Sequence, residues 1–124
     1  MSIEKVSYEE AMRRFKHVYV KEGLPYCNVK GATWYASEFS CGALVAASAT
    51  KFRFKGGVTL PEHRGLGHGE AMLSYREQEA VNLGAQVLEV FSKAPAWFLR
   101  NDWVKSRVTA WGVWVLTKTL NKNP

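Results

Sequence analysis

Val58-Thr59-Leu60-Pro61-Glu62-His63-Arg64-Gly65-Leu66-Gly67-His68-Gly69 decides how this chain reads. Strand-forming residues run into a proline, three glycines then alternate with larger residues, and an amphipathic run follows. The segment reads as a strand, a tight turn and a helix start. The first N–H groups of a helix have no carbonyl partner and carry the positive end of its dipole. A turn stripped of side chains lets an anion reach them, which makes the segment a candidate phosphate cradle, with Arg64 adding a full charge at its edge. Two other phosphate loops fit less well. A Walker loop ends in Gly-Lys-Ser/Thr, and the dinucleotide fingerprint would need its third glycine at position 70, but Gly69 is followed by Glu70. A glycine turn with no ligand is the plainer alternative; the strand-to-helix context favours the anion site.

Working outward, Phe52 to Leu60 reads as the strand before the cradle, with Gly56-Gly57 marking a bulge or a close backbone approach. Thr33–Ser37 and Gly42–Ser48 read as hairpin partners ahead of it. The helix after the cradle runs from His68 to Leu83, with Met72, Leu73, Ala80 and Leu83 on one face and Gly84 as its stop. Gln86 to Phe91 follows as an apolar strand, and Ala94 to Asn101 as a short helix with Pro95 in its first turn. Arg107 to Leu120 reads as one or two strands bent near Gly112, with Trp111, Val113, Val115 and Thr117 alternating against Trp114 and Leu116. At the other end, Ile3–Ser7 reads as an opening strand. Tyr8 to Val20 reads as a helix with Ala11, Met12, Phe15, Val18 and Tyr19 inward, a Ser7/Glu10 capping box, and Gly23 and Pro25 as its end. The order β-α-β-β-β-α-β-α-β-β predicts an α/β (α+β) mixed sheet flanked by helices.

The 124 residues fit one domain, residues 1–124, with room for a true hydrophobic core. The longest weakly polar run, Gly42–Ala49, is too short to span a bilayer, and the N-terminus lacks a signal-peptide core, so a cytoplasmic location is expected. Cys27 and Cys41 have no CxxC spacing, and His17, His63 and His68 form no ligand pattern, so no metal is expected. A net charge of +6 suits a polyanion, whether cofactor phosphate, nucleic acid or an acidic protein. The five tryptophans read mainly as core, and stacking platforms for bases are the alternative.

The cradle resembles motif A of the GNAT N-acetyltransferase superfamily, Arg/Gln-x-x-Gly-x-Gly/Ala, with Arg64, Gly67 and Gly69 in its positions. The similarity extends over residues 33 to 120, where Trp97-Phe98-Leu99-Arg100-Asn101-Asp102-Trp103 resembles the family's Tyr-x-x-x-Gly-Phe segment. The resemblance implies a GNAT fold whose mixed central sheet is splayed at the cofactor site, with acetyl-coenzyme A as co-substrate and an amine as acceptor. It places the pyrophosphate on Arg64, Gly65, Leu66, Gly67, His68 and Gly69, the pantetheine along Gly57–Leu60, and the thioester carbonyl against the N–H of Thr59 or Leu60. It gives two departures: Phe98 stands where the family often has a tyrosine acid, and Asp102 where it has a glycine. Ser92, Glu62 and Tyr35 are the catalytic candidates, with Glu38, Glu89 and His17 behind them, and the His68 ring is expected to face solvent. Two other functions stay open. One is a DNA-modifying protein of the phage Mom type acting on nucleic acid; the other is an acyl-coenzyme A- or partner-binding domain without turnover. The paired strands near the C-terminus could continue into a second copy, giving a homodimer.

Overall fold

The computed structural model describes residues 2–120, so Met1 and residues 121–124 of the expected 1–124 domain lie outside it. The elements are β1 (Glu4–Val6), α1 (Tyr8–Glu22), β2 (Thr33–Ala36), β3 (Ser40–Ala46), β4 (Lys51–Thr59), a 3-10 turn (Pro61–His63), α2 (His68–Asn82), β5 (Val87–Ser92), α3 (Ala96–Leu99), β6 (Val104–Val108) and β7 (Trp114–Thr119). Their order is the one the sequence predicts. The strands form one mixed sheet, β1-β2-β3-β4-β5-β7-β6. β4 and β5 run parallel, because a crossover through α2 joins them, and the other neighbouring strands pair antiparallel.

Each sheet face has its own core, as strand alternation requires. α1 buries Ala11, Phe15, Val18 and Tyr19 against Trp34, Ala36, Cys41, Ala43 and Val58. On the other face α2 covers Tyr35, Leu44, Phe52 and Phe54, joined by Leu88, Val90, Trp103 and Leu116. α1 begins at Ser7, whose side chain accepts from the Glu10 N–H, and ends at Gly23 in the left-handed region. The Glu10 carboxylate does not complete a capping box; it pairs with Arg13 and Arg14 instead.

The parallel ladder runs from Lys51↔Val87 to Phe54↔Val90 and stops. β4 continues to Thr59 and β5 to Ser92, so a gap opens between them. Its cause is a bulge: the β3 step from Cys41 to Ala43 faces the longer β4 step from Val58 to Lys55. The added residue falls at Gly56-Gly57 and bends β4 out of register. The bulge is clamped from both faces. From the α1 side, the Tyr19 hydroxyl donates to the Gly56 carbonyl, and the Trp34 ring would stand 2.9 Å from any Cβ at position 56. From the α2 side, Arg76 Nη1 donates to the carbonyls of Ala43 (3.1 Å) and Lys55 (3.2 Å). A Cβ on Gly42 would lie 2.6 Å from the Arg76 Cζ, so the guanidinium occupies space that only glycine leaves open.

Three sequence readings are corrected. The inward face of α2 is completed by Arg76, which is 5% exposed, while Leu83 is 60% exposed beyond the last turn. The C-terminal alternation does not run through position 111: Trp111 and Val113 sit in a β6–β7 turn where Thr109 N–H donates to the Val113 carbonyl and Gly112 has φ +79°. Trp111 is accordingly 87% exposed, and the strand before that turn begins at Val104 rather than Arg107. The short helix is only Ala96–Leu99, with Pro95 at its N-cap. It ends through Asp102, which has φ +70°, a conformation that costs a residue with a Cβ about 1 kcal/mol. Asp102→Gly is therefore expected to raise the melting temperature by about 4 °C, as read by thermal denaturation.

Candidate functional site

The cradle forms as a turn followed by a bare helix start. Gly65 and Gly67 adopt φ +80° and +89°, and a Cβ at either would meet nothing within 4 Å. Gly67 is the N-cap of α2 and provides no side-chain cap, so the amides of His68, Gly69 and Glu70 point out of the helix start without a partner among the described residues; the first intrahelical bond is from Ala71 N–H to the Gly67 carbonyl. The space beside Gly65 and Gly67 is open, which is what an anion approaching a helix start needs. Leu66 is exposed on the rim. Arg64 does not reach out alone. Its Nε donates to the Thr59 carbonyl at 3.2 Å, and its Nη2 pairs with Glu22 at the end of α1. The arginine thus ties the cradle to β4 and α1 while presenting its remaining donors at the edge.

Gly69 lies between two walls. Its Cβ position is 3.4 Å from Trp97 Cζ2 and 3.6 Å from Thr59 Oγ1. Trp97 comes from α3 and is fixed by an indole N–H bond of 3.1 Å to Glu70. Thr59, Gly69 and Trp97 therefore make a narrow throat at the helix start, beside the end of β4. Successive strand amides point to opposite neighbours. The Leu60 N–H donates to the Phe39 carbonyl on the β3 side at 2.8 Å, which removes Leu60 as a free donor and directs the Thr59 N–H to the gap. Of the two donors expected from the sequence, Thr59 is the available one.

His68 departs from expectation. Its ring packs on Phe39 at 4.6 Å, and Phe39 stacks on His63 at 4.0 Å. The His68 Nδ1 is buried without a partner, and the Ser40 hydroxyl reaches the His68 carbonyl at 3.5 Å. These contacts fasten the cradle to the β2–β3 turn.

The catalytic candidates are dispersed. Ser92 ends β5 at the gap, where its Oγ accepts from the Ala94 N–H at 3.0 Å. Glu62 and Glu38 are exposed on turns, and His17 is exposed on α1. Tyr35 lies in the α2-side core with its hydroxyl 3.4 Å from Glu79; burial, followed by the Glu79 carboxylate, pushes its pKa up to about 12. Glu89 is held by Arg53 (2.7 Å) and Lys51 (3.2 Å). Burial alone would raise its pKa, but the hydrogen bonds from Arg53 and Lys51 outweigh that and hold it below the ordinary range. Phe98 packs edge-to-face against Trp97 and Trp103.

The residues that sequence reasoning passed over are Trp97 as a throat wall, and Tyr19 and Arg76 as the bulge clamps. For Arg76 a signal was present: it falls four residues after Met72 and four before Ala80, in the middle of the apolar stripe.

No protein-family model matches the sequence, and no curated protein matches it. Solved structures match by shape. An aminoglycoside 6'-N-acetyltransferase complexed with coenzyme A superposes with a TM-score of 0.80 at 12% identity, over 100% of this chain and 99% of that chain. N-acetylglutamate synthase from Neisseria gonorrhoeae, complexed with coenzyme A and N-acetyl-glutamate, gives 0.76 at 15% identity over 98% of this chain. This chain spans only 35% of that one. Ard1 from Thermoplasma volcanium gives 0.78 at 9% identity, over 98% of each chain. At such identities the likeness carries the architecture alone.

Proposed function

We propose, from the GNAT N-acetyltransferase fold that this chain has, that it is a cytoplasmic acyl-coenzyme A-dependent N-acyltransferase that uses acetyl-coenzyme A. The observation that carries the reading is the alignment of an open, unpartnered helix start with a gap in the sheet through the throat at Gly69. A diphosphate on the α2 amides and an extended tail in the gap together use both features. The residues fit the group: glycines without neighbours leave the cradle open, and Thr59 offers a backbone donor to the gap.

Coenzyme A, when bound, supplies the acyl group as a thioester. The chain's own part is to hold and orient. His68, Gly69 and Glu70 amides would bind the pyrophosphate, with the remaining Arg64 donors beside them. The Thr59 N–H would meet the thioester carbonyl and stabilise negative charge developing on its oxygen. Fixing the amine against the thioester supplies most of the acceleration, since the two need only proximity and a deprotonated amine. Phe98 has no proton to give, so that position would offer a departing thiolate no acid.

Isothermal titration with coenzyme A and thiol release from acetyl-coenzyme A over a panel of primary amines test the reading. Micromolar binding and amine-dependent release are expected, about −8 kcal/mol for the binding step. Absence of binding would overturn the proposal. Binding with no release across the panel would leave a cofactor-binding domain without turnover.

A further inference from the structure

We infer that the sheet face opposite α2 is a docking surface for single-stranded nucleic acid. Register and contacts place Lys51, Arg53, Glu89, Phe91 and Arg107 together on this face. On this side α1 packs mainly against β2, β3 and β4. The continuation across β5, β7 and β6 is open: Phe91 is 41% exposed and Val104 60%.

The chemistry of the face is specific. The Arg53 guanidinium lies over the Phe91 ring at 5.2 Å and that of Arg107 at 6.0 Å. Arg53 is held in place by Glu89, buried beneath it, so the pair forms a fixed plate rather than two free side chains. Glu89 is the one carboxylate of the group and is already shared between Lys51 and Arg53. Arg107, and Lys55 farther along β4, have no ion-pair partner among the described residues. Guanidinium planes seated on a half-exposed aromatic ring offer a base a stacking surface, and the surplus cations suit a phosphate backbone. An acidic peptide would satisfy the charge but leave Phe91 unused, and a duplex hides the base faces that Phe91 would stack on. The strand is therefore the occupant these residues favour.

Phe91 is also the first β5 residue beyond the last β4–β5 pair, so the face opens onto the gap. The cradle and throat reach the gap from the α2 side, and the basic face reaches it from the other. That a bound strand would end beside a thioester rests on the acyl-transfer reading; the docking itself does not.

Fluorescence polarisation with a fluorescein-labelled, mixed-sequence single-stranded DNA oligonucleotide tests this. With about three cations engaged, affinity is expected to fall about 15-fold between about 50 and about 200 mM salt. Phe91→Ala is expected to weaken binding about tenfold and Phe91→Trp to preserve it. Arg107→Glu is expected to cost about tenfold at the lower salt, whereas Arg100→Glu, the same charge change on the α3 side, should change little. Melting temperatures and coenzyme A titrations of the variants confirm that each is folded. No oligonucleotide binding by the wild type, equal effects of Arg107→Glu and Arg100→Glu, or displacement by polyglutamate or by duplex DNA as effective as by unlabelled strand would each overturn the proposal. Failure here with coenzyme A binding intact removes only the docking surface; oligonucleotide binding without coenzyme A binding removes only the acyl-transfer reading.

Discussion

Gly69→Val is expected to leave the protein folded and remove nearly all coenzyme A-induced stabilisation. Gly69 is the second residue of α2 and has ordinary helical geometry, so a side chain there is not strained, and replacing glycine in a helix contributes about 0.5 kcal/mol. The Cβ itself makes only normal contacts with Trp97 and Thr59. The two γ-methyls reach farther into the space beside those walls, where on the acyl-transfer reading a tail would pass from the α2 amides to the gap. A loss of affinity of about a hundredfold corresponds to about 2.7 kcal/mol. For the wild type, ligand at about a hundred times its Kd stabilises by about 2.7 kcal/mol, or about 10 °C in a domain of this size. The same concentration with the valine variant should give about 2 °C. Gly69→Ala adds only the tolerated Cβ and should keep most of the shift. Equal shifts for glycine and valine would mean that nothing threads the throat.

Arg76→Ala is expected to lose about 3 kcal/mol or more, lowering the melting temperature by about 10 °C or more. The guanidinium is buried and, among the described residues, no carboxylate pairs with it; burial pulls its pKa down to about 10, and nearby Cys41, Tyr19 and Tyr35 only partly restore it. What keeps the cation there is hydrogen bonding to the Ala43 and Lys55 carbonyls and a position 4.7 Å from the Phe54 ring. Alanine leaves a cavity and strips both carbonyls of a donor at once. Arg76→Met fills much of the volume without burying a charge and should recover more than half of the loss, whereas Arg76→Lys buries a more strongly hydrated cation that lacks the planar contact with Phe54 and should resemble alanine. The methionine variant also tests the link to function. With the α2-side clamp gone, the bulge is held from the α1 side alone, by Tyr19 and Trp34, and the coenzyme A shift should weaken although the protein is folded. Urea denaturation with and without coenzyme A reads both effects. A methionine variant with full binding would show that Arg76 serves stability only.

Element order, the cradle and the break in β4 were legible because each has a local cause. Alternating glycines between a proline and an amphipathic run mark a strand-to-helix turn, and Gly56-Gly57 inside an otherwise apolar strand marks a bulge. What local pattern could not give was any partner distant in sequence. Glu22, on which Arg64 closes, is 42 residues away, and the Tyr19 hydroxyl meets Gly56 across 37. Trp97 looked like an ordinary core aromatic because its relation to Gly69 exists only after α3 docks beside α2. Position 111 failed for a different reason: alternating Trp and Val residues mimic strand periodicity, and the left-handed Gly112 interrupts it without interrupting the pattern. No catalytic group was legible, because on the acyl-transfer reading an amine needs only one base near the gap, and sequence spacing does not single one out.

The break beyond Phe54 and Val90 makes the sheet two leaves on a short spine. One leaf is β1 to β4 and the other β5 to β6, and below the break the residues from Thr50 to Phe54 stitch to Gln86 and β5. Above it the leaves keep their own ladders to β3 and β7 and, among the described residues, share no backbone bonds with each other. A tail lying between the leaves and bonded to one of them would brace them along the stretch where their own backbones do not meet.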